Sequence, residues 1–432
     1  MMTVELLDLK KLIPSDVITY KAISKLMPTK PTAYDLVISG GRVLDPANKI
    51  DAKLDIAVSK GKIAAVEANI DASESKRVVN ATGLVVTPGL IDLHTHAAGG
   101  IRKPGNDEFM IDADTAGVSA GVTTILDAGS IGALNSGGLV NYLVPNSKTR
   151  LMALLNIGKM GVANLPEVKS SDDINHDASV EVIQSAPDIV KGIKARMVSP
   201  GIQALGNDMP KAAKAITGEA GGFVMVHVGD IAGQDPIAAD LTPTLLTDIL
   251  GEGDVVTHTL SGAVGALLAD GSLISQAQEA RNNGVYFDVG VGGGNFTFAA
   301  AQSVIDSGFM PDTISSDITA MGIYAGPVFS LTECMGKVMT LGVSFEDTIR
   351  MTTSKPAEIL GITDDLGSLR VGTTADISIV DLVKGDFSFR EASGITKAGS
   401  EAIKPVIAIK DGVPQPLDHG PHPWGWLPAQ NG

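Results

Sequence analysis

Cysteine is almost absent, with a single residue, Cys334, in 432. One thiol cannot close an internal disulfide or complete a zinc ribbon, and it fits a reducing compartment, the cytoplasm being the default. Aromatic residues are scarce at 4%, too few to build stacking platforms for single-stranded nucleic acid. Positive charge is in deficit as well: 33 Lys and Arg face 49 Asp and Glu, a net −16. Without a concentrated basic patch such a surface repels polyanions, so no nucleic-acid partner is expected. No run reaches the ~18 apolar residues of a membrane span. The N-terminal residues MMTVELLDLKKLIPSDVITYKAISKLMPTKP lack a basic-then-apolar leader with a small-residue cleavage site, so neither export nor membrane attachment is expected.

What is present is ample core material, 44% hydrophobic against 19% charged, which excludes a disordered or collagen-like chain. The length exceeds the roughly 250 residues of a single barrel, so one large domain and one small one are expected. From residue 34 to 88, short β-rich runs (DLVISGGRVLDP, LDIAVSKGKIAAVE, GLVVTP) alternate with turn residues and read as a small antiparallel β unit. Similar runs return late, LGSLRVGTTADISIVDL and PVIAIKDGVP. Both flanks are therefore expected to build one β-sandwich, over 34–89 and 361–415, around an inserted domain at 90–360. Residues 1–33 remain as an N-terminal extension and 416–432 as a tail.

The inserted region carries eight apolar runs: GLIDLHTH, VTTILDAGS, RLMALLNIG, DIVKGIKARMV, FVMVHVGD, DVVTHTL, VYFDVGVG and TISSDI. Their continuous apolar character suits parallel strands covered on both faces, and intervening stretches such as SLISQAQEARNNG suit crossover helices. The alternation reads as a TIM (β/α)8 barrel.

Of seven histidines, four fall at the C-terminal ends of these runs, where such barrels keep their chemistry: His94, His96, His227 and His258. The period of two in His94-Thr95-His96 puts both imidazoles on one strand face, a pairing suited to a divalent metal. One histidine after an apolar run is ordinary; four at equivalent ends are not. Asp317, in TISSDI, adds an oxygen that can bind metal and another that can accept a proton from water. His176, His419 and His422 lie in polar or Pro/Gly-rich segments and are read as exposed. The glycine-rich stretch 290–294 lacks the spacing of a dinucleotide fingerprint and is read as a loop that approaches substrate closely.

PGLIDLHTH, an inward lysine in the fourth run, single histidines after the fifth and sixth and an aspartate after the eighth resemble the amidohydrolase superfamily of metal-dependent hydrolases. The likeness runs from about residue 34 to 382. Within it, GIKARM, GDVVTH and FDVGVGGGNF are similar to the amidohydrolase/deacetylase branch, and also to dihydroorotases and hydantoinases. The resemblance implies two divalent ions, usually zinc, bridged by a lysine carboxylated with carbon dioxide. Lys191 and Lys194 are three apart, so only one can point inward, and the family's Gly-Ile-Lys selects Lys194. On this reading His94 and His96 bind the first metal, His227 and His258 the second, and Asp317 binds the first and acts as general base and acid. A hydroxide shared between the metals would attack an amide or related C–N or ester acyl bond of a small-molecule substrate. Ring opening of a cyclic amide, deamination at a single metal and a non-catalytic binding homologue stay open as alternatives. Arg102, Arg196 and Asn295 are candidates to meet a substrate carboxylate. Val291 stands where many members of the branch have histidine, which removes any substrate role of that side chain. A homo-oligomer is expected from the resemblance alone.

Overall fold

The computed structural model describes residues 7–8, 33–101 and 109–430. β1 (Leu7–Asp8) runs parallel to the short strand Val78–Asn80. β2 (Leu36–Asp45) and β3 (Ile50–Ser59) form an antiparallel pair. Their turn is closed by Asp45, whose carboxylate accepts from the backbone N–H of Asn48. β4 (Lys62–Glu67) returns along β3. β5 (Val78–Asn80) and β6 (Val85–Pro88) then pair with β2, both in parallel. The sheet is therefore mixed, not the antiparallel unit that the sequence suggests. The chain from β4 comes back to the start of β2, where Ser75 bridges Tyr34 in parallel, and so re-enters in the direction of β2.

Seven strands of the barrel region form one parallel sheet among the described residues. They are β7 (Leu90–Thr95), β8 (Val122–Ala128), β9 (Arg150–Asn156), β10 (Val190–Arg196), β11 (Phe223–His227), β12 (Val255–Thr257) and, after a two-stranded hairpin of β13 (Leu268–Ala269) and β14 (Ser272–Leu273), β15 (Tyr286–Asp288). They stand side by side in chain order. Helices such as His176–Ser185, Asp208–Ala220 and Ser275–Asn282 return the chain between strands. The eighth run, TISSDI, is not a continuous strand. Single parallel bridges tie Thr313 to Asp288 and Ile318 to Thr95, so the segment lies between the two edge strands of the sheet. Its Ser and Thr hydroxyls bond to buried carboxylates, a competitor to regular pairing.

The chain then returns to the small sheet. β16 (Ile377–Arg390) pairs antiparallel with β6 and with β17 (Thr396–Lys410), followed by β18 (Val413–Gln415) and β19 (Ala429–Gln430). One mixed sheet thus takes strands from both flanks, including short ones from the segments read as extension and tail. Leu36, Ile38, Ile56, Val86, Ile377 and Ile409 bury its apolar face.

Strand periodicity divides the parallel sheet into two faces. Ala153, Leu155, Val224, Val226, Val256 and Phe287 join the main core. The alternate residues Met152, Leu154, Phe223, Met225 and Val255 form a separate apolar cluster. Continued toward the C-terminal ends, that second face presents Asn156, Lys194, His227, Thr257 and Asp288, all buried.

The tight spacing of β10 and β11 rests on Gly192, opposite Phe223 in the register. A Cβ there would stand 1.9 Å from the Phe223 carbonyl oxygen, at a φ of +147°. Gly192→Ala is expected to destabilise the protein by about 3 kcal/mol or more, the sum of backbone strain and overpacking. Gly218→Ala, inside the helix Asp208–Ala220 with open space at its Cβ, is expected to be neutral or stabilising. Urea unfolding of both variants checks the contrast.

Candidate metal centre

The side chains singled out in the sequence converge at the C-terminal ends of the parallel strands. His94 Nε2 lies 3.3 Å from Asp317 Oδ1 and 2.9 Å from Lys194 Nζ. His96 Nε2 lies 3.1 Å from the same carboxylate oxygen. The His258 ring sits 5.0 Å from that of His94 and 4.0 Å from that of His227, between centroids. All six residues are buried. His94, His258 and Asp317 each offer one donor atom, and these lie within 4.8 Å of one another.

Local backbone geometry aims them. The β7–β8 register shifts between Asp92 and Thr95, so β7 leaves strict pairing just where His94 must point at Lys194. His258 and Asp317 both adopt left-handed backbone conformations, with φ of 71° and 49°. Residues other than glycine rarely do so, and such conformations concentrate at functional sites. The glycine-rich loop after β15 accommodates them: a Cβ on Gly290 would stand 2.7 Å from His258 Nδ1, and one on Gly292 2.2 Å from Asp317 Oδ2. The close approach foreseen for this loop is thus an approach to His258 and Asp317 themselves. Lys194 is inward and buried, whereas Lys191 is half-buried and donates to the Pro187 carbonyl.

Burial is the dominant influence on three of the imidazoles. It holds His94 and His227 well below the usual histidine range and brings His258 down to about 3. Lys194 falls to about 7, again first through burial. For Asp317 burial works upward, but the His96 hydrogen bond and the nearby Lys194 work the other way, and the carboxyl stays low. The centre therefore sets the neutral imidazoles of His94, His227 and His258 beside a carboxylate, the protonation states that ligation of a metal requires. His258 donates through Nδ1 to the Gly290 carbonyl, 2.8 Å away, leaving Nε2 buried without a hydrogen-bond partner among the described residues. His227 Nε2 faces the Gly229 carbonyl at 3.1 Å, which leaves Nδ1 to carry the lone pair. The orphaned Nε2 of His258 and the lone pair left on His227 Nδ1 fit a divalent ion.

The substrate candidates fare differently. Arg102 lies outside the described residues. Arg196 is inward at the end of β10 and pairs with Glu167 at 2.8 Å. Asn295 is buried and donates to Asp317 Oδ2 at 3.0 Å. Val291 is buried in the main core. Of the remaining histidines, His419 is exposed as expected. His176 is half-buried and contacts Glu219, and His422 is half-buried because it stacks on Trp424 and meets the Phe329 ring edge-on.

Sequence reasoning missed an outer layer of buried carboxylates. Asp92 accepts from the Ser316 N–H and hydroxyl, and burial raises it to about 7. Asp127 accepts from the Ala97 and Ser130 backbones, with the Ser130 hydroxyl against His96 Nδ1. Asp288 accepts from Thr257, Thr313 and Ser315. A carboxylate inside an otherwise apolar run was the available signal in all three.

The amidohydrolase family profile matches residues 85–412. A deacetylase of Brucella anthropi is 32% identical over 364 residues, covering 83% of this chain and 87% of the relative. Among solved structures, an adenine deaminase superposes with a TM-score of 0.79 at 30% identity, covering 89% of this chain and all of the other. A dihydroorotase superposes equally well, at a TM-score of 0.79 and 27% identity, covering 89% of this chain and 98% of the other. With these neighbours the fold is TIM-barrel-like.

Gly292→Ala is expected to displace Asp317 and lower metal content, whereas Gly294→Ala, with nothing within 4 Å of its Cβ, leaves metal content unchanged. Elemental analysis of the purified variants, alongside thermal unfolding, checks the pair.

Proposed function

Because the chain belongs to the amidohydrolase family and is a hydrolase of C–N bonds, we propose that it cleaves an amide or related acyl bond of a small substrate at a two-metal centre. The observation that carries this reading is the convergence of four imidazoles, Lys194 and Asp317 at one end of the sheet. His94, His96 and Asp317 would hold one ion, His227 and His258 the other, and Lys194, carboxylated by carbon dioxide, would link them. Bound divalent ions, zinc by family resemblance, supply Lewis acidity toward the scissile carbonyl and lower the pKa of water. The position of Lys194 near neutrality supports its carboxylation, since only the free amine reacts with carbon dioxide. Closure of the sheet through residues 313–318 into a complete eight-fold barrel belongs to the same reading, as do the small domain from both flanks and the catalytic domain at 90–360.

Asp317 does the proton work. Kept anionic by its neighbours, it takes a proton from the attacking water and returns it to the leaving group. Asn295, bonded to the outer oxygen of Asp317, orients that carboxylate. Arg196, held by Glu167 beside the strand end, offers a fixed cation to a substrate carboxylate. The likeness to a dihydroorotase favours a second substrate class, a cyclic amide whose products stay joined after ring opening. Comparing ring-opening with acyl-transfer substrates separates the two. The single, buried Cys334 supports a reducing, cytoplasmic setting.

Fully active enzyme is expected to carry about two divalent ions per chain, because four imidazoles and two oxygen donors exceed the needs of one four-coordinate ion. Lys194→Ala should lose tight two-metal binding, whereas Lys191→Ala should keep it, and short carboxylic acids should restore part of the Lys194→Ala activity. Elemental analysis is the check, and one ion per chain at full activity would overturn the two-metal reading.

Asp317→Asn, measured with metal content determined on the same sample, is expected to lower kcat by about 10²–10⁴-fold, the range of a lost general base. Near-normal kcat in a metal-replete variant, where chemistry limits turnover, would reduce Asp317 to a ligand.

A further inference from the structure

Asp288 reaches no nearer than 4.0 Å to His94 Nδ1, yet it collects hydroxyl groups from the elements that build the site. Thr257 at the end of β12 donates to Oδ2 at 2.7 Å, Ser315 donates to the same oxygen at 2.6 Å, and Thr313 donates to Oδ1 at 2.7 Å. Asp288 and Thr257 are fully buried. The Thr257 hydroxyl has a second neighbour, His94 Nδ1, at 3.0 Å. A hydroxyl carries one proton and two lone pairs. With that proton given to Asp288, Thr257 can only accept from His94, so Nδ1 carries the ring proton. Nε2 then keeps its lone pair, directed at Lys194 Nζ and Asp317. A Lys194 ammonium donating to Nε2 from 2.9 Å is consistent with the same assignment.

We propose that Asp288, acting through Thr257, is a positioning residue that fixes the tautomer of His94 and so presents Nε2 as a ligand nitrogen. The proposal rests on the reading of His94 as a metal ligand. It gives a reason for a carboxylate at this depth: the hydroxyl of Thr257 alone would be free to donate to Nδ1 and favour the opposite tautomer. Through Thr313 and Ser315 the same carboxyl group also holds the segment that leads to Asp317, so one buried side chain braces both His94 and Asp317.

The test has two arms. In the first, metal-free wild-type protein is labelled at its histidine nitrogens, and the His94 ring is assigned by comparison with His94→Asn. Long-range nitrogen–proton spectra are expected to show Nδ1 protonated, and protonation at Nε2 would overturn the proposal. In the second, the affinity for Zn²⁺ alone is measured by competition with a chromophoric chelator. Thr257→Val and Asp288→Asn are expected to bind about 10–100-fold more weakly, the usual cost of removing an outer partner of a ligand histidine. Thr257→Ser, which keeps the hydroxyl, should stay within about threefold of wild type, well inside that range. Unchanged affinity in a folded Thr257→Val would also overturn the proposal, and should that variant fail to fold, the wild-type spectra still decide it. Absence of Zn²⁺ binding by wild type would defeat the two-metal reading instead, while the His94 tautomer remains measured independently.

Discussion

Taking a lysine, a carboxylate and four imidazoles out of water together is the constraint on which the rest of this structure depends. Each charge buried alone would cost several kcal/mol even after relaxation. The protein meets that cost in two ways: burial itself keeps His94, His227 and His258 neutral, and each charged or polar group is given a partner. Asp317 contacts His94 and His96, Lys194 contacts His94, and three further carboxylates, Asp92, Asp127 and Asp288, are saturated by hydroxyl and backbone donors. The polar cluster is tolerable because almost every member is bonded, and the orphaned nitrogen of His258 stands out for that reason.

The sheet supplies the rigidity this arrangement needs. Along one face of the strands, apolar residues such as Met225 and Val255 hand over to His227 and Thr257 two positions further on. The reactive ends thus stand on a packed apolar floor that leaves their backbones little room to move. Where the regular strand cannot deliver the required direction, the chain departs from it. The β7 register slips before His94, and His258 and Asp317 adopt left-handed conformations. Gly290 and Gly292 give up their side chains so that the neighbouring loop can pass. Left-handed residues and register shifts occur elsewhere too, at turns such as Lys49, Lys60 and Asp270 and within β2–β3 and β16–β17, but at the site they aim side chains that bear the chemistry.

Much of this was legible in the residues themselves. Strand patterns placed His94, His96, His227 and His258 at run ends, because a period of two and a run of Val and Ile are local properties. They also put Lys191 and Lys194 on opposite faces, while the choice of Lys194 as the inward one came from the family resemblance. The mixed pairing in the small sheet was not legible, since pairing direction depends on the route of the connection and not on the composition of the strand. Nor was the half-burial of His422, which depends on Phe329 and Trp424 stacking around it.

By itself, then, the sequence determined which faces are apolar, which residues stand at strand ends and which donor chemistry collects there. Only the tertiary structure decided that Asp317 reaches His94 and His96 from a segment that is no strand at all. It alone gave Asp92, Asp127 and Asp288 their partners, for a carboxylate within an apolar run says nothing of where its donors are. Those donors arrive from strands and loops distant in the chain, Ser316 lying 224 residues from Asp92. Closing such distances is a consequence of packing the whole sheet, and no local pattern encodes it.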